Sequence, residues 1–537
     1  MKTAAFIGRF QPFHKGHLSA VREILGENDQ LKIVLGSFKK NHTQNNPLNG
    51  DERYSIIKNV LESEGFGGRF EIFSMPDYSN DNRWVDELFK LTGDLDVVYT
   101  ANEHTKRCLV SRVKVRMQNM YEPETYNATS VRELIRKGRD WEDRVPDSVA
   151  KELREKGLVD VIKTSGSPPD KVKDVAEFLS GVKNCKVAII HHDDCDGVCS
   201  GVLAGKIVER GEGNKISMFT TRFAPKVTDD LYKDVAAIKP ELIIMSDFVE
   251  DTDKSSAQFI KELGCKVVIV DHHVCRDYKF VDGVLYTNPR VDINPDRYIP
   301  ASAYMYMIGC EADENFKKYL WIATVGTIAD YGAADNEELI RKCIDKYDDL
   351  FDCNSIENRD LFKTKFGSIS NSIGAVISWD GWSGVDMVTK VLSSVKDPYE
   401  FLAAGTPELK KVWNEYRKIE AEIKKVVEDF NVKRKKDGKI LMYEVVSKYP
   451  LKSKISTIIS SQVDDENVVI IWQKENDKIR ASLRNQSGDV DLNKVVCESI
   501  KGLDARGGGH PKASGVIVSK KDFDKMLERI VRMVNCK

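Results

Sequence analysis

Short apolar runs that end abruptly in polar loops recur along this chain. Residues 3–7 (TAAFI), 187–190 (VAII), 242–245 (LIIM) and 267–270 (VVIV) are runs of this kind. Apolar stretches this short, without polar alternation, read as strands of parallel sheets covered on both faces. Helical spacing follows two of them, at residues 18–25 and again at 200–204, where small and apolar residues come after Gly197. Strand, polar loop, helix is the repeating unit of an open α/β sheet, which places ligands at the carboxyl edge of its strands. Residues 172–179 form a further predicted helix. Residues 346–436 read as mostly helical, with Pro407, Glu408 and Leu409 opening an amphipathic helix to about Val432. Strands return at residues 440–446, 468–472 and 479–483. The fold class is therefore α/β, with a smaller α/β domain behind a helical segment.

Composition limits the picture further. At 537 residues and 41% hydrophobic content the chain has room for three or four domains with real cores. Residues 164–170 (TSGSPPD) break any helix or strand and mark a hinge. The expected organisation is 1–165, 166–345, 346–436 and 437–537. A net charge of −2 leaves only local patches for nucleic-acid contact, chiefly Lys433, Arg434, Lys435 and Lys436, a run that more often is a solvated helix end. The eleven cysteines form no C-x-x-C pairs, and Cys195 with Cys199 is weak evidence for a site. Reduced thiols, no leader-like segment and no long uncharged apolar run lead to the expectation of a soluble, cytoplasmic protein with no membrane partner.

The chemistry concentrates where the apolar runs end. Residues 187–201 read VAIIHHDDCDGVCSG, and His192, Asp194 and Asp196 alternate, so an extended backbone would turn all three to one face. Carboxylates that close repel one another unless a cation lies between them. One imidazole with hard oxygens suits manganese or magnesium better than zinc. A second cluster, Asp271-His272-His273, follows residues 267–270. His191 reads as a strand-end residue rather than a ligand. Eight of the nine histidines fall in stretches rich in Gly, Asp, Asn or Pro; His104 alone lacks such a setting.

After residues 3–7 comes GRFQPFHKGH, from Gly8 to His17. Gly8 and Gly16 let the backbone approach a ligand, a helix start favours anions, and His14 and His17 can face one phosphate. The string resembles the nucleotidyltransferase superfamily, in particular the archaeal-type nicotinamide mononucleotide adenylyltransferases. The likeness continues through residues 35–37 (LGS), 41–53 (NHTQNNPLNGDER), 82–85 (NRWV), 98–100 (VYT) and 127–132 (NATSVR), and on to Trp141, Val145 and Pro146. It implies a Rossmann-like domain in which a mononucleotide 5′-phosphate attacks the α-phosphate of ATP, accompanied by Mg²⁺, and pyrophosphate leaves. His14 and His17 would hold the ATP phosphates, Arg132 and Thr129 would grip the departing end, and Arg9 would neutralise charge. Gly8, Phe10 and Gly16 would complete the nucleotide loop, and Trp84 would stack on the nicotinamide; read alone, Trp84 is equally a core aromatic. Two departures stand out: Asn127-Ala128 replaces the family's Ser-Gly pair, and Asp81 replaces its asparagine. They leave open a different phosphorylated acceptor.

The central runs, with Asp247 after residues 242–245, Thr287-Asn288-Pro289, and Asp330 within residues 322–332 (IATVGTIADYG), resemble the DHH phosphoesterase superfamily. By that resemblance His192, Asp194 and Asp247 bind one divalent ion, Mn²⁺ or Mg²⁺. Asp196, Asp247, His272 and Asp330 bind a second, so Asp247 bridges. Two such ions activate water and stabilise a phosphoryl transition state. His273 would touch the scissile phosphate and Asp271 would orient its neighbours. Near the C-terminus, residues 506–511 (RGGGHP) resemble the DHH-associated domain of RecJ-type nucleases, oligoribonucleases and cyclic-dinucleotide phosphodiesterases. This implies substrate binding by Arg484, Gly508, Gly509 and His510. Alone, the three glycines would bring backbone amides close to a phosphate, or form a flexible turn.

These readings add up to a bifunctional enzyme: adenylyl transfer from ATP to a phosphorylated mononucleotide, and two-metal hydrolysis of dinucleotides or short oligonucleotides. Alternatives are a RecJ-like single-strand exonuclease or a pyrophosphatase in the hydrolase half, or a regulatory nucleotide sensor in one half. A homo-oligomer is compatible with the sequence.

Overall fold

The first apolar run forms the middle strand of a five-stranded parallel sheet. In that sheet β1 (Thr3–Gly8) lies between β2 (Gln30–Leu35) and β4 (Val97–Thr100), with β3 (Phe70–Ser74) and β5 (Val115–Met117) outside, in the order β3-β2-β1-β4-β5. Successive side chains point to opposite faces. Phe6, Ile33 and Tyr99 therefore join one core, and Ala5, Val34 and Val98 the other. This sheet belongs to the first of two compact units, Met1–Pro169; the second is Asp170–Lys537. The computed structural model describes residues 2–38, 43, 45–76, 81–118, 121–165, 168–221, 229–247, 263–274, 284–293, 298–352 and 356–535. Asn41, His42 and Gln44 of the NHTQNNP stretch, Gly166 and Ser167 of the hinge, and Phe248 lie outside the described residues.

The second unit contains two sheets. Strands β6 (Lys186–His191), β7 (Lys215–Thr220), β8 (Leu242–Ser246), β9 (Lys266–Val270) and β10 (Val284–Thr287) run parallel in the order β10-β9-β8-β6-β7. The chain goes from β6 outward to β7 and then crosses back to β8, so the carboxyl ends of β6 and β8 meet at a topological switch point, the usual place for a ligand in such a sheet. Val187, Ile189, Leu242 and Ile244 pack beneath the helices Cys195–Val208, Ala301–Ala312 and Leu320–Ala329. Cys195–Val208 is apolar nearly all round because it lies between the sheet and the kinked helix Lys365–Ser394. The expected amphipathic helix is Pro407–Lys433, with proline in its first turn and the Thr406 hydroxyl accepting from the Leu409 N–H.

A six-stranded mixed sheet follows. Its strands are β11 (Lys435–Asp437), β12 (Ile440–Glu444), β13 (Val468–Glu475), β14 (Lys478–Arg484), β15 (Ala505–His510) and β16 (Ala513–Ser519), in the order β11-β12-β13-β14-β16-β15. Two sequence expectations are corrected here. The basic run is not wholly a helix end: Lys433 closes the helix, while Lys435 and Lys436 lie on edge strand β11. The glycine-rich stretch is not a flexible turn but strand β15, paired Gly508↔Gly515, Gly509↔Ser514 and His510↔Ala513. Three glycines hid the strand because strand propensity reflects side-chain packing, which glycine lacks.

Among the described residues no helix is long and apolar enough to cross a membrane, and the described cysteines are free thiols. Ile244, fully buried on the central strand β8, reports on the second unit's core. Ile244→Ala is expected to destabilise that unit by about 2–5 kcal/mol, read as a lower urea midpoint with an unchanged m-value.

Candidate functional site

In the first unit the loop after β1 ends at His14, the N-cap of helix Lys15–Glu27. The helix is closed by a reciprocal box made of imidazoles. The His17 backbone N–H donates to His14 Nδ1 and the His14 N–H donates to His17 Nδ1, both at 3.3 Å. The rings stack with centroids 3.6 Å apart. Because each Nδ1 accepts, each ring carries its proton on Nε2, giving two parallel neutral donors. Burial, and then the charge of Arg132, push His14 down to about 3. Burial and His14 likewise hold His17 well below the usual histidine range.

Arg132, on helix Ala128–Arg136, is buried beside this pair. Its Nη1 donates to Gln11 O at 2.8 Å and its Nη2 to Thr129 Oγ1 at 3.1 Å, while its buried Nε makes no hydrogen bond. Burial, followed by Arg136 and Arg9, lowers its basicity to about 10. A buried arginine pressed by other cations, with a donor unused, is electrostatically suited to an anion. The Asn127-Ala128 departure costs the helix nothing: Asn127 Oδ1 accepts from the Ser130 N–H at 2.7 Å, so an amide does the capping. Phe10 lies in the core against His17, ring centroids 4.8 Å apart, and a Cβ on Gly8 would stand 2.8 Å from it. Its side chain backs the imidazole rather than facing solvent. A Cβ on Gly16 would meet His14 Nδ1 and Tyr126 O at 3.0 Å. Arg9 is exposed, and Trp84 is half-buried on helix Asp81–Thr92, packed against the core that holds Val34, Val85 and Val98.

Sequence reading assigned no role to Arg53. It is buried and donates to the carbonyls of Arg9, Gly36 and Ser37 at 2.8–3.0 Å, tying the β1 and β2 loops together. Its place at the end of the 41–53 stretch marked the residue, but gave no sign that its donors serve loop carbonyls.

In the second unit, β6 and β8 deliver the acidic cluster. Asp194 caps helix Cys195–Val208 through the Gly197 N–H at 2.9 Å. A Cβ on Gly197 would lie 2.5 Å from His192 O, so only glycine lets the chain turn here. This corrects the extended-strand expectation: Asp196 already sits in the first helical turn and joins a different group from His192 and Asp194. His192 Nδ1 lies 2.9 Å from Asp194 Oδ2 and 3.7 Å from Asp247 Oδ2. His272 Nε2 lies 3.0 Å from Asp247 Oδ1 and 3.7 Å from Asp330 Oδ2. Ligand-type atoms converge within 4.8 Å in the groups His192–Asp194–Asp247, Asp196–His272–Asp330 and Asp247–His272–His273. Asp247 has a left-handed backbone, φ 65°, a strain typical of functional positions.

Surrounding residues orient these groups. Asp196 accepts from the N–H of Ala301 at 2.7 Å, from the N–H of Ser302 at 3.2 Å and from the Ser302 hydroxyl, at the start of helix Ala301–Ala312. Asp271 is buried and lies 2.8 Å from His273 Nδ1. The Tyr298 hydroxyl donates to Asp330, and Arg290 Nε donates to His272 O at 2.9 Å. Ser302, Tyr298 and Arg290 carried no sequence signal. Burial, then repulsion from Asp194, Asp196 and Asp330, drives Asp247 far above the carboxylate range. Burial and Asp330 push Asp196 up to about 7. His191 is buried at the strand end with Nδ1 on His192 O, as expected of a strand-end residue.

Arg484 ends β14, pairs in register with Ala513, and through it lies in line with His510 on β15. Burial lowers the basicity of Arg484, and the Tyr331 phenol opposes that. The Gly509 N–H donates to Asn493 Oδ1 at 3.0 Å, so this amide is already engaged. A Cβ at Gly509 would stand 2.5 Å from Ala513 O. Gly508 lies beside it on β15, and the side chain of His510 lies outside the described residues.

Residues 5–133 match the cytidylyltransferase-like family model, 186–331 the DHH family N-terminal domain, and 438–535 the DHHA1 domain. The N-terminal region is 38% identical over 155 residues to a nicotinamide-nucleotide adenylyltransferase of Thermoplasma acidophilum, covering 29% of this chain and 86% of that protein. It is 34% identical over 151 residues to one of Pyrococcus horikoshii, covering 28% and 81%. Among solved structures, RecJ from Thermus thermophilus in complex with Mn²⁺ superposes with a TM-score of 0.53 at 13% identity, over 69% of this chain and 55% of that one. The exonuclease RecJ bound to manganese gives 0.51 at 14% identity, over 68% and 95%. At such identities the likeness is one of fold.

The inward-facing histidines generate a pH test. The folded state refuses a proton that the unfolded chain accepts below about pH 6.5. Stability from this source is therefore complete above that pH and lost as pH falls toward 3. The slope approaches about 1.4 kcal/mol per pH unit for each imidazole. His14→Gln is expected to flatten the decline of the first unit's urea midpoint between pH 7 and 5 by one such increment.

Proposed function

Through its N-terminal region the chain belongs to the nicotinamide-nucleotide adenylyltransferase family, and from that premise we propose an enzyme with two activities. The first unit transfers the adenylyl group of ATP to nicotinamide mononucleotide. The second, with its DHH and DHHA1 domains, hydrolyses phosphodiester bonds in dinucleotides and short oligonucleotides.

In the first reaction a 5′-phosphate oxygen of the mononucleotide bonds to the α-phosphorus of ATP, the α–β bridge breaks, and pyrophosphate leaves with the electron pair. No bond to the protein forms. His14 and His17 hold phosphate oxygens through their Nε2–H groups, which supply hydrogen bonds without proton transfer. Arg132, with its unengaged Nε, and Thr129 hold the pyrophosphate end, and exposed Arg9 adds charge. Preorganised donors of this kind act where charge accumulates in the transition state. Trp84 covers the nicotinamide, with Asp81 at the start of the same helix.

For the hydrolase the carrying observation is Asp247, shared between two convergent groups of ligand-type atoms at the sheet's switch point. Its Oδ1 is buried without a hydrogen bond, and crowded carboxylates hold one another's charge down. A pair of divalent cations, Mn²⁺ or Mg²⁺, fits this donor set of carboxylates and imidazoles. One would be held by His192, Asp194 and Asp247, the other by Asp196, Asp247, His272 and Asp330. Bound there, the ions activate water and neutralise the phosphoryl oxygens. Asp271 orients His273 toward the scissile phosphate, and Arg484 with His510 takes a neighbouring phosphate. Short substrates are favoured because the basic run offers little track: Lys433 pairs with Asp429 at 2.7 Å and Arg434 bonds to Asn431 at 3.1 Å.

Separation of function tests the assignment. Asp247→Ala should abolish hydrolysis while leaving NAD formation intact. His17→Ala should lower kcat of adenylyl transfer about a hundredfold, roughly 3 kcal/mol, and leave hydrolysis unchanged. Phosphodiesterase activity persisting in Asp247→Ala would overturn the shared-carboxylate role.

Substrate length is a separate test. Activity should fall steadily from dinucleotides to longer strands, and binding should depend weakly on salt, because few phosphates are neutralised. A preference for long strands, with a steep salt slope flattened by Lys435→Ala and Lys436→Ala together, would replace this reading with a RecJ-like exonuclease.

A further inference from the structure

His104, the histidine without a loop setting, has two partners that come from different elements. It begins the second position of helix Glu103–Leu109, and Cys108 follows one turn later at i+4, on the same face. Asp81 opens helix Asp81–Thr92. His104 Nε2 lies 3.2 Å from Asp81 Oδ1 and 3.6 Å from Cys108 Sγ. All three donor atoms lie within 4.8 Å of one another.

We propose that Asp81, His104 and Cys108 form a binding site for a zinc-class divalent cation, separate from the acidic cluster of the second unit. The first reason is geometric. Tetrahedral zinc with bonds of about 2.0–2.2 Å to oxygen and nitrogen and about 2.3 Å to sulfur requires ligand separations of about 3.4 Å for O···N and about 3.6 Å for N···S. The observed separations match these to within about 0.2 Å without any movement of the helices. The second reason is valence. Asp81 Oδ1 and Cys108 Sγ both approach the same ring nitrogen, which has either one proton or one lone pair to offer. Without a cation the Cys108 thiol and the ring N–H both turn to Asp81; a cation takes the place of those protons and holds all three groups at once. The third is ligand chemistry: a thiolate and an imidazole select zinc over magnesium or calcium, while the second unit's cluster holds only carboxylates and imidazoles.

Asp81 and His104 have side-chain exposures of 61% and 60%, so the cation enters from solvent. Three protein ligands leave a fourth position for water or for a donor atom of a small molecule. On binding, the Cys108 Sγ–H proton and any proton on His104 Nε2 pass to solvent, so uptake is proton-coupled. The bound ion ties the start of the helix that carries Trp84 to the neighbouring helix, which stabilises the first unit by mass action.

Cobalt(II) titration of the full chain tests this, because a thiolate ligand to cobalt gives an intense near-ultraviolet charge-transfer band that oxygen and imidazole ligands do not. The parent and Asp247→Ala should both develop the band, with one equivalent displaced by zinc. Cys108→Ser and His104→Ala should lose it, and these exposed or half-exposed substitutions leave the fold intact. The same variants should lose the zinc-dependent rise in the first unit's unfolding midpoint. Absence of the band from the parent, or its survival in Cys108→Ser, would overturn the site and leave an exposed His–Asp pair beside a bystander thiol.

Discussion

Buried like charge at the carboxyl ends of β6 and β8 is the constraint to which the second unit is built. Asp194, Asp196, Asp247 and Asp330 converge where a parallel sheet changes direction. Asp196 and Asp247, both out of water, cannot ionise freely beside their neighbours without a cation among them. The surrounding structure shares the load. Asp194 receives a helix N-terminal N–H, Asp196 receives two more with a serine hydroxyl, and Asp330 receives the Tyr298 phenol. Helix N-termini are a natural place for such groups, because their unpaired donors and dipoles favour negative charge. The left-handed backbone at Asp247 persists because the core beneath β8 leaves it no alternative.

The first unit has the complementary problem. Its helix start carries two neutral imidazoles whose Nδ1 atoms are used up in capping, beside a buried arginine with a donor unused. Here the anion would come with the substrate, so the protein supplies only donors and cationic charge. Both centres therefore carry an electrostatic imbalance suited to a ligand of the opposite sign. Stability given up in this way is common where ligands bind.

The DHHA1 sheet contributes differently. Arg484 and His510 lie on strands two apart, held in line through Ala513, and sheet register rather than loop flexibility sets their spacing. Close packing at Gly509, where a Cβ would strike the neighbouring strand, makes glycine a requirement of the hairpin itself. The chain thus uses one device in both units: a strand end or helix start, rigid by packing, carrying a polar group that the element itself cannot satisfy.

Much of this was legible in the amino-acid sequence because it is local. Unbroken apolar runs predicted the parallel strands, and each strand is where its run lies. Clustered Asp and His at strand ends marked the site, since the strand direction alone decides which edge they reach. Local pattern also misled in places. Alternation of His192, Asp194 and Asp196 suggested one face, but the Asp194 cap starts a helix and sends Asp196 to another group of ligands. Glycines 507–509 suggested a loop, yet pairing with β16 makes them a strand. The roles of Ser302, Tyr298 and Arg290, and the approach of Asp81 to His104, were invisible, because each acts across a sequence separation that no local spacing encodes. The sequence by itself determined the apolar strands and most helices and which residues stand at their ends, because burial period and capping chemistry are short-range. Only the tertiary structure decided which ends meet, because that depends on strand order and on packing between segments far apart in the chain.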